Sequence, residues 1–201
     1  MQRLAKTVLP TRWGQFSMIA YANTPSEMPH LALIQEGWSS DEPVLVRIHS
    51  ECMTGDVFGS VRCDCGEQLE AAMKTISKQG GLVLYLRQEG RGIGLVNKMH
   101  AYNLQDEGFD TAEANTKLGF EVDSRKFDIA IRILEDLGVQ KIRLMTNNPE
   151  KLAAFDDANV SIVERVPLEI SPRQENKFYL HTKQRVMGHL LNISSNGNGE
   201  H

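Results

Sequence analysis

The sequence predicts an α/β protein, a single domain with a mixed β-sheet covered by helices and with antiparallel strands near the N-terminus. Short β-branched apolar runs alternate with amphipathic helical segments, which is typical of this class. The 201 residues, 41% hydrophobic and 24% charged, suit one well-filled domain. No repeat or linker-like stretch interrupts residues 1–191, and residues 192–201 have the composition of a flexible polar tail.

The strands are predicted from short apolar runs that turn residues bound on both sides. Residues 14–20 and 31–34 have the pattern of a hairpin and are expected to add the antiparallel strands. Further strands are predicted, in chain order, at residues 43–49, 82–86, 142–145 and 160–166.

The helices are predicted where apolar residues recur every three or four positions. Residues 95–106 place Leu95, Met99, Tyr102 and Gln105 along one stripe. The remaining helices are predicted at residues 67–78, 127–137, 149–159 and 178–191, with Asp123 or Ser124 as the N-cap of the second of these.

The overall charge and hydropathy exclude several classes of protein. A formal net charge of −4 and a pI near 5.9 argue against binding to long nucleic acid. No apolar run approaches the roughly 18–20 residues that span a bilayer. The first residues lack the apolar core of a signal peptide, so a cytoplasmic location without membrane contact is expected.

The three cysteines lie within one segment between a predicted strand and a predicted helix. Cys52, Cys63 and Cys65 form a C-x10-C-x-C pattern of soft thiolate ligands, which suits zinc. Three protein ligands leave a coordination position for water, whose pKa a metal lowers toward about 7, and this favours hydrolysis.

Two alternatives to an open metal site remain at this stage. A distant histidine could complete four ligands and make the site structural; the candidates are His30, His49, His100, His181, His189 and His201. The cysteines could also be buried thiols that bind no metal.

Polar and basic segments follow the predicted strands or open the predicted helices. Residues 87–94 combine glycines with a strand-to-helix turn, where backbone N–H groups can approach an anion. Residues 47–51, 123–125 and 146–151 occupy comparable positions. Ligands gather at the carboxyl ends of strands in open α/β sheets, so a cradle for a polyphosphate is expected from Arg47, Arg87, Arg91, Arg125 and Lys151. The alternative is that each cation only solvates its own loop.

Taken together, these segments strongly resemble the GTP cyclohydrolase II family. The resemblance runs from about residue 9 to residue 191 and is carried by residues 47–52, 62–66, 87–91, 123–125 and 146–151. It implies a homodimeric, zinc-dependent enzyme with a catalytic domain at residues 1–191. That enzyme opens the imidazole ring of guanine in GTP, releases formate and pyrophosphate, and begins riboflavin biosynthesis. Some members carry a dihydroxybutanone phosphate synthase domain, for which this chain is too short.

The resemblance also implies roles for individual residues. Cys52, Cys63 and Cys65 match the zinc ligands, and Tyr102 matches a residue that helps in ring opening. Asp123 matches the proton acceptor and Arg125 the nucleophile. The GTP-contacting positions match Arg47, Ile48, His49, Ser50, Glu51, Gln68, Glu89, Gly90, Arg91, Thr111, Thr146 and Lys151. Mg²⁺ is expected with the triphosphate.

Chemical reasoning modifies some of these roles. A guanidinium has a pKa above about 12 and no free lone pair, so we expect Arg125 to stabilise charge on the α-phosphate rather than attack it. Glu89 is a candidate for recognising guanine, although backbone carbonyls would serve equally. Tyr102 could instead be a packing residue, and Thr111 a simple helix N-cap.

Three other functions fit the same residues. A regulatory module would hold a structural zinc and bind the nucleotide without turnover. A partial enzyme would open the ring and retain the formyl group. A nucleotide pyrophosphatase would release pyrophosphate without using the cysteines.

Overall fold

The computed structural model describes residues 1–39 and 41–191, in which seven strands form one mixed sheet with helices on both faces. The predicted α/β class is confirmed. The predicted tail, residues 192–201, lies outside the described residues. In the described ranges no helix is both long and apolar enough to cross a membrane.

The sheet has an antiparallel half and a parallel half, in the order β1-β2-β3-β5-β4-β6-β7. Strands β1, β2, β3 and β5 pair antiparallel, whereas β5, β4, β6 and β7 run parallel. The strands are β1 (Gln2–Thr11), β2 (Gly14–Ala22), β3 (His30–Gln35), β4 (Val44–Ser50), β5 (Gly81–Leu86), β6 (Lys141–Met145) and β7 (Ser161–Val166). Strand β1 was not predicted, because its mostly exposed residues give no apolar pattern.

The helices differ from the predicted ones mainly at their ends. They are α1 (Met53–Asp56), α2 (Cys65–Gln79), α3 (Gly94–Asp106), α4 (Thr111–Lys117), α5 (Asp128–Asp136), α6 (Pro149–Ala153) and α7 (Lys177–Arg185), with a 3₁₀ turn at Glu89–Gly92. Helix α6 is shorter than predicted because the chain turns back toward β7 after Ala153. Helix α7 ends early because Leu190 donates its N–H to the Asn147 carbonyl, which lies on another loop.

The predicted cap of α5 is wrong. Phe127, not Asp123 or Ser124, is the N-cap, and the Asp123 carboxylate accepts hydrogen bonds from Arg125 instead.

The central strands β4 and β5 are buried on both faces of the sheet. Val46, Ile48 and Leu84 pack toward α5 in one apolar cluster. Leu45 and Val83 point to the opposite face and pack in a second cluster with α2. Burial on both faces explains why the two strands appear as continuous apolar runs in the sequence. It also fixes the carboxyl ends of the parallel strands at one edge of a rigid sheet.

The close pairing of β4 with β5 requires a glycine at position 81. Gly81 has a φ of +124°, and a Cβ there would lie 2.2 Å from the Leu45 carbonyl oxygen. Gly119 also has a positive φ, +80°, but a Cβ there meets nothing within 4 Å.

We predict that Gly81→Ala destabilises the protein far more than Gly119→Ala. Both substitutions place alanine at a positive φ, with a strain of about 1–2 kcal/mol. Only Gly81→Ala also places a Cβ against backbone. This clash should lower the free energy of unfolding by roughly 1–3 kcal/mol in addition. Urea denaturation measures both, and equal losses would contradict the steric explanation.

Candidate active site

The three cysteines converge into one group between β4 and α2. Their Sγ atoms all lie within 4.8 Å of one another, and Cys52 and Cys63 are 3.6 Å apart. Two sulfurs on a tetrahedral zinc, each at about 2.3 Å, are separated by about 3.8 Å, whereas a disulfide is near 2.05 Å. All three cysteines are free thiols. The spacing therefore fits a metal-ligand group.

Two glycines make room for this group. A Cβ on Gly55 would lie 3.0 Å from the Cys63 Sγ and 3.3 Å from the Cys52 Sγ. A Cβ on Gly66 would lie 2.3 Å from the Gly55 carbonyl oxygen, so the start of α2 could not approach α1 as it does. Because both residues lack a side chain, there is room for the three sulfur atoms to lie close together.

The charges around the group favour a thiolate. Hydrogen bonds from the Cys63 and Cys65 thiols, and then Lys98, hold the pKa of Cys52 far below its usual range. The neighbouring Cys52 conversely raises the pKa of Cys63 to about 11. The Lys98 Nζ lies 3.1 Å from the Cys52 Sγ and 2.8 Å from the Glu89 Oε1. A buried ammonium thus supports the negative charge that a metal ligand needs.

The fourth coordination position is not filled by any described residue. Within residues 1–39 and 41–191, no histidine or carboxylate joins the three cysteines in a possible metal group. His49 is committed elsewhere, with its Nε2 at 3.1 Å from Asp56. His201 lies outside the described residues.

The buried carboxylate of Asp56 attaches the segment that carries Cys52 to the sheet. Asp56 accepts hydrogen bonds from the Cys52 backbone N–H at 3.0 Å and from the Tyr85 hydroxyl at 2.9 Å. It also binds the Nε2 of His49, whose ring stacks on Tyr85. Because His49 is on β4 and Tyr85 on β5, the first cysteine is held against the centre of the sheet.

A deep cleft opens at the carboxyl ends of β4, β5 and β6, next to the sulfur group. Of the residues proposed from the sequence, those that line it are Arg47, His49, Ser50, Glu51, Cys52, Cys63, Cys65, Gln68, Glu89, Gly90, Arg91, Tyr102, Thr111, Arg125, Thr146 and Lys151. Ile48 lies in the apolar core instead, and only its carbonyl oxygen contributes, by accepting from the Lys151 Nζ at 2.8 Å. Asp123 lies behind Arg125 and reaches the cleft through it.

The buried cations of the cleft fall into two groups. Some have a carboxylate partner: Lys98 with Glu89, Arg125 with Asp123, and Lys183 with Asp64. In the described part of the chain, Arg47, Arg91 and Lys151 form no such ion pair. Arg87, expected among the cradle cations, pairs with Glu51 at 3.0 Å.

Arg47 and Lys151 are both 5% exposed and depend on neutral acceptors. Arg47 donates to the Met145 carbonyl and to the Gln68 Oε1, at 3.0 Å and 2.6 Å. Burial lowers the pKa of Arg47 to about 10. Burial, and then Arg47 and Arg125, hold the pKa of Lys151 well below its usual range. Such crowding of cations is relieved by an anion in the cleft.

Several buried donors of the cleft lack an acceptor. They are the Arg47 Nε, the Arg91 NH1 and the Asn148 Nδ2. A buried polar group without a partner is costly, so such groups in a cleft indicate a ligand. Donor nitrogens without an acceptor, next to cations without a carboxylate partner, are the pattern expected of a site that binds phosphate oxygens.

The backbone around Arg91 adopts an unusual conformation. Gly90 and Arg91 have φ angles of 61° and 62°, and Arg91 is the only described non-glycine residue with a positive φ. This turn directs the Arg91 side chain into the cleft, where its guanidinium lies 5.9 Å from the centre of the Tyr179 ring.

Asp123 and Arg125 form a nearly buried, charged pair. The Arg125 Nε lies 2.8 Å and 3.0 Å from the two Asp123 oxygens, and its NH2 also donates to Asp123. Burial alone would lower the pKa of Arg125, but the hydrogen bonds and charge of Asp123 raise it. Burial alone would raise the pKa of Asp123, but Arg125 lowers it. The pair therefore retains both charges, and Arg125 remains a guanidinium.

Two other candidates have contacts that specify their positions. Tyr102 lies with its hydroxyl 3.2 Å from the Thr54 Oγ1, and burial raises its pKa. Glu89 already accepts hydrogen bonds from the Met53 and Gly90 N–H groups and from Lys98. These contacts favour a role in positioning the residues next to Cys52 over a role in recognising guanine.

Thr111 is the first residue of α4, and the interpretation of it as an N-cap is wrong. Asp110 is the cap, in a capping box with Glu113. Thr111 lines the cleft.

The predicted apolar stripe on α3 is also wrong in part. Met99 is 56% exposed, whereas Lys98 and Ala101 are the buried residues of this helix. The helix turns a polar face to the cleft, with Lys98 and Tyr102 one turn apart. Because residues four apart share one face of a helix, the spacing from Tyr102 could have indicated that Lys98 also faces the cleft.

Other residues were not expected at the cleft from the sequence, although His189 was one of the candidate fourth metal ligands. Tyr179, Lys183 and His189 come from α7 and the segment after it, far along the chain from the motifs. Asp56 lies four residues after Cys52 on the first turn of helix, and only this helical spacing could have indicated it.

The fold and the site together define a class: an α/β protein with three cysteines that could hold a metal ion beside a cleft rich in cations. The chain belongs to the GTP cyclohydrolase II family, whose model matches residues 2–167. The family expected from the motifs is thereby confirmed.

The similar proteins include longer ones. The riboflavin biosynthesis protein RibBA of Bacillus cytotoxicus is 59% identical over 186 residues, which are 92% of this chain and 47% of that protein. RibBA of Chlorobium phaeovibrioides is 53% identical over 202 residues, covering 100% of this chain and 49% of that protein. The chain thus spans about half the length of these curated relatives.

A solved structure shows only a distant likeness. The crystal structure of RibBX, a two-domain 3,4-dihydroxy-2-butanone 4-phosphate synthase from A. baumannii, has a TM-score of 0.46 and 20% identity to this chain. The match covers 82% of this chain and 40% of that one.

We predict that Gly55→Ala weakens metal binding. Its Cβ enters the space between the sulfurs, so zinc affinity should fall roughly 10- to 100-fold, as for other disturbances around metal ligands. Competition with a chromophoric chelator measures this affinity. Gly59→Ala in the same segment is the control: its φ of +66° adds backbone strain, but a Cβ there meets nothing within 4 Å and does not reach the sulfurs. Equal affinities for the two variants would show that Gly55 does not make room for the sulfurs.

Proposed function

We propose that this chain is a GTP cyclohydrolase II. It hydrolyses GTP at C8 of guanine, releases formate and pyrophosphate, and yields 2,5-diamino-6-(5-phosphoribosylamino)pyrimidin-4(3H)-one, the first step of riboflavin biosynthesis. Family membership over residues 2–167 and the RibBA relatives support the proposal.

One observation carries the proposal. The three-cysteine group and the unpaired cations Arg47, Arg91 and Lys151 face a single cleft. A metal-assisted hydrolytic centre and a binding site for phosphates are thereby adjacent, as a reaction at both ends of a nucleoside triphosphate requires. A plain pyrophosphatase would have no use for the thiolates.

Zinc is the metal we propose for Cys52, Cys63 and Cys65. Three thiolates with sulfur spacings near those of a tetrahedron suit zinc better than the oxygen-preferring Mg²⁺ or Ca²⁺. When bound, zinc supplies the Lewis acidity that activates water for attack on carbon. The Lys98 ammonium donates to the Cys52 sulfur, and Glu89 holds Lys98 in place.

Tyr102 is the residue we propose for proton transfer during ring opening. It lines the cleft beside the cysteines, and its raised pKa keeps the phenol protonated at neutral pH. A protonated hydroxyl can donate to the imidazole nitrogen that leaves when the ring opens. Thr54, at 3.2 Å, fixes the position of the hydroxyl.

Asp123 and Arg125 act on the phosphate end of the substrate. Asp123 is a weaker base than a free aspartate, because Arg125 lowers its pKa. We therefore propose that Asp123 orients Arg125, and that the guanidinium stabilises negative charge on the α-phosphate while water attacks phosphorus. Pyrophosphate is the leaving group, and Mg²⁺ bound to the triphosphate would neutralise its charge.

The proposal includes the remaining expectations drawn from the sequence. GTP contacts are assigned to Arg47, Ile48, His49, Ser50, Glu51, Gln68, Glu89, Gly90, Arg91, Thr111, Thr146 and Lys151, with the Ile48 contribution made through its backbone. Residues 1–191 form the catalytic domain of a homodimer, which light scattering after gel filtration tests.

The deciding experiment incubates purified protein with GTP and Mg²⁺ and measures zinc, formate and pyrophosphate separately. We expect one zinc per chain and equal amounts of the two products. The variant with Cys52, Cys63 and Cys65 changed to serine should lose zinc and formate release together.

The other outcomes identify the rival functions. Zinc without turnover would indicate a regulatory module, and a formylated product would indicate a partial enzyme. Pyrophosphate release without any formate by the unaltered, zinc-loaded protein would indicate a pyrophosphatase. Each of these results would overturn the proposal.

We predict different effects for two substitutions of Arg125. Arg125→Lys keeps a cation beside the phosphate and should retain roughly a tenth of the rate of pyrophosphate release. Arg125→Met removes it and should lose about 100- to 1000-fold, the range for loss of one charge-stabilising donor. Zinc content serves as the control for folding. A phosphoramidate trapped on Arg125 and found by mass spectrometry would contradict the electrostatic role.

A further inference from the structure

We propose that the segment of residues 177–191, made of α7 and the residues that follow it, forms one wall of the phosphate-binding half of the cleft. Lys183 and His189 of this segment contact the phosphate groups of the substrate. The inference rests on the proposed function, because it assigns the part of GTP that the segment binds. The family model ends at residue 167, so the segment lies outside that match.

The segment contributes side chains to the same cleft as the strand ends. Tyr179, Lys183 and His189 all line it together with Arg47, Arg125 and Lys151. These last three residues come from β4, the loop before α5, and α6. The segment therefore adds a cation, Lys183, and an imidazole, His189, to the cations that the other elements supply.

Lys183 is placed to bind both protein and ligand. Its side chain is 10% exposed, and its Nζ lies 2.6 Å from the Asp64 Oδ1. An ammonium has three N–H groups, so two remain after this contact. Asp64 also accepts from the Gln68 Nε2, and the Gln68 Oε1 accepts from Arg47. Lys183 is thus linked through two side chains to a cation that has no carboxylate partner.

His189 lies among the cations of the cleft. Burial, and then the charges of Lys183, Arg125 and others, lower the pKa of His189 to about 3. The imidazole is therefore neutral at pH 7 and can donate one N–H without adding to the repulsion between cations. Its backbone N–H donates to the Lys183 carbonyl at 3.0 Å, which fixes the two residues relative to each other.

Further hydrogen bonds hold the segment in this position. The Leu190 N–H donates to the Asn147 carbonyl at 2.8 Å, next to Asn148, whose Nδ2 is buried and unpaired. The Gln184 Nε2 donates to the Leu191 carbonyl at 2.8 Å and closes the turn after α7. The segment is therefore attached to the loop that precedes α6, the helix that carries Lys151.

Binding of inorganic tripolyphosphate to the zinc-loaded protein tests the inference without any turnover of GTP. By isothermal titration calorimetry, Lys183→Met should raise the Kd for tripolyphosphate roughly 10- to 100-fold, as expected for loss of a charged hydrogen bond. The Kd for guanosine should stay unchanged. Lys183→Arg, which keeps the charge, should restore most of the affinity.

Lys177→Met is the matched control, because it makes the same substitution on an exposed residue of the same helix. It should bind tripolyphosphate as the unaltered protein does. If circular dichroism shows that Lys183→Met does not fold, His189→Ala decides instead, with an expected loss of roughly fivefold or more for a neutral hydrogen bond. Unchanged tripolyphosphate affinity in the folded variants would overturn the inference.

The two proposals fail in different ways. Absence of formate release by the unaltered protein would refute the proposed function and leave the tripolyphosphate measurement interpretable. Normal formate release combined with unchanged affinity in the Lys183 and His189 variants would refute only the inference.

Discussion

The crowding of like charges around one cleft is the constraint on which the rest of the site depends. The protein as a whole carries a net charge of −4, yet it buries Arg47, Lys151 and Arg125 near one another. Carboxylates partner some of the cations and leave others to carbonyls and amides, whose dipoles stabilise a charge less fully. The cations without a carboxylate partner are the ones that we propose to bind the anionic substrate, and the paired ones add no uncompensated charge to the folded protein.

The metal group depends on the sheet for its position. Cys52 and Cys63 lie outside the helices and Cys65 begins α2, so local structure alone does not hold the three sulfurs at fixed distances. Asp56 attaches the first cysteine to β4 and β5 through His49 and Tyr85, and glycines at 55 and 66 allow α1 and α2 to approach each other. Strands buried on both faces move little, so their rigidity is passed to the sulfur atoms.

The sequence predicted those parts of the structure whose causes are local. Strands β4 and β5 were recognisable because burial on both faces leaves continuous apolar runs, and the metal group because its ligands lie within fourteen residues of one another. Strand β1 was not recognisable, since an exposed edge strand has no apolar pattern. Met99 was misassigned because α3 faces a polar cleft rather than the core. Lys183 could not be found, since its role depends on where α7 packs.

The left-handed backbone at Arg91 has a consequence for how the family can change. Glycine would adopt a φ of 62° without strain, so retention of arginine there sacrifices about 1–2 kcal/mol of stability. The protein is therefore not at its stability optimum at this position, and a screen for thermal tolerance alone would favour glycine and empty the cleft of a cation. Thermal stability and a cation for the ligand therefore require different residues at position 91.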